Sequence, residues 1–209
     1  MYIPKLNEMN DRDEVLSFIK EYRFATIINY QEGKPTASHL PLVIETREDE
    51  IIIFGHFAKA NPQWQFVENQ KTLIVFSEPH AYISPSNYES KINVPTWNYI
   101  AVHVYGNCVL ITDEDASISI LEKTINTYEA DYKKQWDELP ADYKKANLQG
   151  IVCFEMKVSE IQAKKKLSQN KRDTERTKII HQLEQSQHTH QKKIADHMRN
   201  DELNRSNEK

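Results

Sequence analysis

Apolar and polar positions change period several times along the chain, and each change marks an expected element. Over residues 11–23 (DRDEVLSFIKEYR), Val15, Leu16 and Ile19 share a helical face, and Asn10 or Asp11 can cap the first turn. The period then falls to two. FATIINY reads as a strand, QEGKP as a turn with Gly33 able to take a positive φ, and TASHLPLVIE (36–45) as the return strand, so residues 24–45 make a hairpin. IIIFGH (51–56) is a third strand. Asn61 followed by Pro62 is a helix-start signal, and the helix is expected to reach about Asn69 with Trp64 and Val67 or Phe66 inward. KTLIVFSE (71–78) and HAYISP (80–85) read as further strands, then SPSNYESKINVPT as a long polar loop. WNYIAVHVYGNCVLIT (97–112) alternates as a long strand, with a break expected near Gly106. Residues 113–134 carry Ile118, Leu121, Ile125 and Tyr128 at helical spacing. A last strand is expected over 149–166, then two short helices near 174–187 and 190–202. The stripe on those helices (Ile179, Ile180, Leu183, Ile194, Met198) is thin, so they are expected to pack weakly or against a partner.

Strands do not alternate regularly with helices, which argues against a doubly wound parallel sheet. A closed or nearly closed antiparallel barrel with peripheral helices fits the pattern better. The 209 residues suffice for one ordinary domain with an appendage. The expected division is a barrel over 1–170 and a helical, basic tail over 171–209. The net charge of −4 conceals an asymmetry. From Ala163 onward there are 12 Lys and Arg against 7 Asp and Glu, which leaves 15 against 24 in residues 1–162. An acidic body with a basic tail hints at a polyanion such as DNA, although a solvated helical tail has the same composition. No apolar window is long enough for a transmembrane helix, so no membrane partner is expected. The N-terminus lacks a signal-peptide layout, and the cytoplasm is the expected location. Cys108 and Cys153 lie in apolar β-like runs and are expected as free core thiols.

The chemistry is first narrowed by absence. The glycines are Gly33, Gly55, Gly106 and Gly150, so no glycine-rich phosphate loop exists. HExxH, CxxC and GxSxG are also missing. Ser84 and Ser86 have no base nearby in sequence, and the His188-x-His190 pair reads as solvated. Four stretches stand out instead. GHFAKANPQW (55–64) brings His56, Lys59 and a capped helix start at Asn61 together. Free amides, the helix dipole and a lysine would suit a phosphate monoester, and equally describe a capped surface helix. TASHLPL (36–42) places Ser38, His39 and Leu40 before Pro41, which removes a ladder donor and implies an edge or pocket strand. VPTWNYIAVH (94–103) supplies Thr96, Trp97, Asn98, Tyr99 and His103. KKKLSQN (164–170) puts Ser168, Gln169 and Asn170 after a basic run.

GHFAKANPQW, HAYISPS…VPTWNYIAVHVYG and KLSQN resemble the signature segments of the PaiB-type FMN-binding negative transcriptional regulators. The resemblance covers nearly the whole chain. It implies a mainly β split barrel with peripheral helices, of the flavin-reductase and pyridoxamine-phosphate-oxidase type. It also implies a homodimer with FMN at the subunit interface, and a role in transcriptional repression. FMN needs a cation for its phosphate, donors for its ring carbonyls and an apolar wall. The matched segments then imply Lys59 and the amides near Asn61 at the phosphate. Ser38, His39 and Leu40 fall to the ring edge, with His56 between the two groups. Trp97 or Tyr99 would stack on the ring, and Ser168 and Gln169 would reach the cofactor from the partner subunit. The chain departs from the pattern at Asn87, where an aromatic is usual, at Lys59, where Arg is common, and at Cys153, where a small residue is usual. Competing readings are a flavin-dependent oxidoreductase, a haem-binding barrel using His39, His56 or His103, and an interaction protein with a vestigial flavin site. No helix-turn-helix stands behind direct DNA binding.

Overall fold

The structure is a computed structural model that describes residues 1–207; residues 208 and 209, the end of the expected tail, lie outside the described residues. The chain forms two compact units. One comprises Leu16–Phe76 and His103–Gln162; the other comprises Met1–Val15, Ser77–Val102 and the residues from Ala163 on. Helix α1 (Arg12–Glu21) passes from the second unit into the first, and two long strands also belong to both. Among the described residues no helix is long and apolar enough to cross a membrane.

In the first unit, β1 (Phe24–Gln31) and β2 (Lys34–Pro41) pair antiparallel from Phe24↔Pro41 to Gln31↔Lys34. The turn between them holds Glu32 at φ 50° and Gly33 at φ 79°, the two left-handed residues that a two-residue hairpin requires. The return strand expected over 36–45 is in fact two strands. Pro41 has no N–H to continue the ladder. The next amide, that of Leu42, donates instead to the Arg23 carbonyl at 3.0 Å and to the Tyr128 hydroxyl at 3.1 Å. The chain then starts β3 (Val43–Arg47), which pairs with β4 (Glu50–Ala58). With β5 (Lys71–Phe76), β7 (Thr96–Ile111) and β8 (Ile151–Lys166), the order is β2-β1-β5-β7-β8-β4-β3, so Pro41 sits on an edge strand as expected. β7 is not broken at Gly106. A Cβ there would fall on the Lys157 carbonyl, so glycine lets β7 and β8 approach closely.

Fully buried Ile27, Ile53, Phe57, Ile74, Phe76, Val104 and Phe154 fill the core of this unit. A second cluster of Val43, Ile52, Phe54, Ile120 and Cys153 lies under α2 (Glu114–Tyr128). Asp113 caps α2 by accepting from the Ala116 amide at 2.8 Å. The single helix expected over 113–134 ends at Tyr128 because Glu129 leaves helical space (φ −156°, ψ 75°); α3 (Tyr132–Glu138) follows. The next helix, α4 (Ala141–Leu148), has no buried residue, which is why no apolar period announces it.

In the second unit, β6 (His80–Ile83) pairs antiparallel with the start of β7, from His80↔Tyr99 to Ile83↔Thr96. Helices α5 (Asp173–Glu184) and α6 (Thr189–Asn207) pack on each other. The expectation that they pack weakly is corrected: Ile179, Ile180, Leu183, Ile194 and Met198 are all buried. Arg176 completes what the thin stripe lacks. Its side chain is fully buried and donates to the Leu167 carbonyl at 2.7 Å and to Asp201 at 3.1 Å, with Glu202 at 3.3 Å. A buried guanidinium is tolerable only when its donors are met this fully.

Candidate functional site

The stretch from His56 to Trp64 folds differently from its sequence pattern. Asn61 does cap, since its side chain accepts from the Gln63 amide at 3.1 Å. The helix it starts is only a five-residue 3₁₀ turn, Pro62–Phe66, rather than a helix reaching Asn69. The reason is Gln63, which is fully buried and faces back under the hairpin. Its Nε2 donates to Asn29 Oδ1 at 2.7 Å and lies 3.2 Å from the carbonyls of Ile27 and Thr36. Those bonds hold the turn against β1 and β2 and stop it from extending. So short a turn has little dipole, and the Gln63 amide is already taken, so the expected amide cradle is reduced. Val67 is buried as expected, and Trp64 is half-buried with its indole N–H on the Lys59 carbonyl at 3.0 Å.

The predicted residues on this unit fall into distinct places. Ser38 donates to Gln63 Oε1 at 2.6 Å and accepts from Asn61 Nδ2 at 2.7 Å, so Ser38 and Asn61 meet directly. His39 stacks on exposed Phe24 with ring centroids 6.3 Å apart, and Leu40 stands opposite Ala25. His56 lies opposite Cys153 in the β4–β8 ladder. Its Nδ1 is buried with no hydrogen-bond partner, and burial pulls its pKa below the usual value. Lys59 is exposed and lines a separate cleft of about 330 Å³ with Trp64, Glu114, Ser117 and Cys153. No ion pair holds its ammonium among the described residues. In the KANPQW segment the asparagine, glutamine and tryptophan are thus occupied in building the turn, and the lysine is the polar side chain left to meet an anion. Cys108 and Cys153 are free and buried, and burial pushes the Cys108 thiol up to about 12.

On the other unit, Trp97 is half-exposed and forms an aromatic ridge with Tyr82 (6.1 Å, edge-on) and His80 (5.3 Å). His190 stacks on His80 at 5.4 Å, so the second histidine of the tail pair is not simply solvated. Ser168 is buried at φ 58° and donates to Asn98 Oδ1 at 3.1 Å. Gln169 folds back on its own turn, accepting from the Leu167 amide at 2.7 Å and donating to the Lys165 carbonyl at 2.6 Å. The KLSQN segment therefore builds the reversal from β8 into α5. Sequence reasoning missed Gln63 and Tyr88. Gln63 lies inside a segment that the pattern had singled out and Tyr88 in the loop read as polar; neither residue type is distinctive, and burial alone reveals them.

The strand order and flanking helices are those of the split β-barrel. The fold matches the flavocytochrome Anf3 from Azotobacter vinelandii (TM-score 0.62, 15% identity, 79% of this chain and 72% of that one). It also matches the FAD and heme binding protein from Mycobacterium smegmatis (TM-score 0.58, 15% identity, 76% and 73%). At those identities the likeness concerns the fold alone. The family model described as "Putative FMN-binding domain" matches residues 1–160. The protease synthase and sporulation protein PAI 2 of Bacillus subtilis is 41% identical over 201 residues, covering 95% of this chain and 96% of that protein. The chain belongs to this FMN-binding-domain family, and within it to the PaiB type.

Proposed function

We propose that the chain binds FMN as a homodimer and serves as a negative transcriptional regulator. Family membership across residues 1–160 supports the cofactor class, and the ammonium of Lys59, exposed and without an ion pair among the described residues, supports Lys59 as the partner of its phosphate. The orphaned Nδ1 of His56 is a buried polar atom that a ligand group could satisfy, and it fits the same reading. Ser38, His39 and Leu40 on edge strand β2 would offer backbone groups, and His39 its imidazole, to the ring edge. Trp97, half-exposed on its ridge, would wall the ring from the partner subunit, with Ser168 and Gln169 shaping that segment. When bound, FMN supplies one- and two-electron redox chemistry. The protein's part is to hold the phosphate, orient the ring and exclude water.

The test is a paired titration with FMN and riboflavin, followed by flavin fluorescence. Lys59→Ala should weaken FMN about tenfold to a hundredfold and leave riboflavin nearly unchanged, since only FMN carries the phosphate. Equal loss for both would make Lys59 structural. Sedimentation with and without FMN reads the dimer, and a Soret band in the purified protein would replace FMN with haem.

A further inference from the structure

We propose that the second unit holds a separate binding site for a phosphate monoester, in the cleft where residues 93–96 face residues 166–171. The cleft measures about 300 Å³, at the small end for ligand sites, and Tyr88 forms part of its wall.

Three observations carry this. First, the lining contains Lys166 and Lys171 beside Asn93, Thr96, Ser168 and Gln169, and no carboxylate among the described residues. Two ammonium groups match a phosphate monoester, which carries about −1.5 to −2 at neutral pH, better than a single carboxylate. Second, the hydroxyl of Tyr88 is buried and has no hydrogen-bond partner among the described residues. A buried hydroxyl without a partner is costly, and a ligand oxygen in the adjacent cleft would satisfy it. Third, the hydrogen bonds that hold both lysines are made to neutral groups, while Lys171 also acts electrostatically on Glu175. Lys166 donates to Thr96 Oγ1, and Lys171 donates to Asn93 Oδ1 at 3.1 Å while lying 3.7 Å from the Tyr88 ring centroid.

The nearest carboxylates are already engaged. Glu175 accepts from the backbone amides of Glu89 at 2.9 Å and Arg172 at 3.3 Å. Glu89 is bound to Arg172 at 2.6 Å and to Thr174 at 2.8 Å. Burial and the neighbouring Glu175 raise the Tyr88 pKa, which keeps its hydroxyl protonated and able to donate. Ser168 and Gln169, which the proposed flavin site also uses, line this cleft, so competition with FMN decides whether the two sites are one. The proposed ligand is a phosphorylated small molecule other than FMN.

The experiment is a calorimetric titration of the full chain with inorganic phosphate, in the Lys59→Ala background so that the other lysine contributes nothing. Saturable binding is expected. Lys166→Gln and Lys171→Gln should each weaken it about tenfold. Tyr88→Phe, which keeps the ring under Lys171 and removes only the hydroxyl, should weaken it about fivefold without lowering the melting temperature. Absence of phosphate binding, or binding indifferent to all three substitutions, overturns the proposal. Competition then identifies the source. If saturating FMN leaves phosphate binding intact, the ligand is a separate phosphate monoester. If FMN displaces phosphate, the cleft belongs to the flavin site, and the proposal of a separate site is overturned.

Discussion

Single residues in this chain divide into those that build a turn and those that the turn presents. Gln63 builds: one buried amide serves Asn29 and two carbonyls of the β1–β2 hairpin. Gln63→Ala should cost about 3 kcal/mol, because it strands buried acceptors rather than removing one exposed bond. Urea unfolding would read this as a lower midpoint at unchanged slope. His56 and His103 have their pKa values pulled below 6.5 by burial. The unfolded chain therefore binds more protons than the folded one below that value. Stability should be full well above pH 6.5 and be lost progressively as the pH falls through and below that value. His56→Phe should flatten part of that slope, which melting temperatures across the range would show. The cysteines give a third expectation. With the Cys108 thiol pushed up to about 12 and Cys153 also raised by burial, neither should react with a thiol reagent at mildly alkaline pH until the chain unfolds.

Elements were legible from sequence where one face carries a dense apolar period, and illegible where polar groups do the packing. α1, β1, β4, β7 and β8 were expected close to their true bounds because Ile, Val and Phe recur along them at helical spacing, in alternation or, in β4, as a continuous run. The break at Leu42 was hidden, since the stretch over 36–45 stays uninterrupted in pattern and only the missing Pro41 N–H separates its two strands. The packing of α5 and α6 was misjudged for a related reason. A sequence gives no credit to an arginine as core, yet Arg176 is fully buried at their contact. Arg176→Ala should cost about 3–5 kcal/mol by stranding the Leu167 carbonyl and one of the partners of Asp201. Calorimetry would show whether the helices melt separately or take their whole unit with them. The site was legible at the level of segments and not of contacts. Ser38 and Asn61 do meet, but each spends its polar atoms on the fold, and nothing in the residue types alone distinguishes a ligand contact from a brace.

At the scale of the whole molecule, the charge asymmetry looks different once its partners are known. The segment from Ala163 on is basic by composition, and four of its twelve Lys and Arg are held in ion pairs. Lys165 contacts Glu14 at 2.7 Å, Arg172 holds Glu89 at 2.6 Å, Arg199 holds Glu184 at 2.5 Å, and Arg176 is buried between Asp201 and Glu202. Phosphate contacts with DNA would have to break these pairs or use the cations outside them. With four cations already paired, the log–log slope of duplex binding against salt should fall below the value of about 6 to 10 seen when many phosphates are neutralised. Anisotropy of a labelled duplex across a salt series reads that slope directly. A steep slope would mean that these ion pairs open on DNA, and regulation would then run through direct contact. A shallow one would place the regulatory step at the flavin or at a protein partner, where the acidic body rather than the tail meets its target.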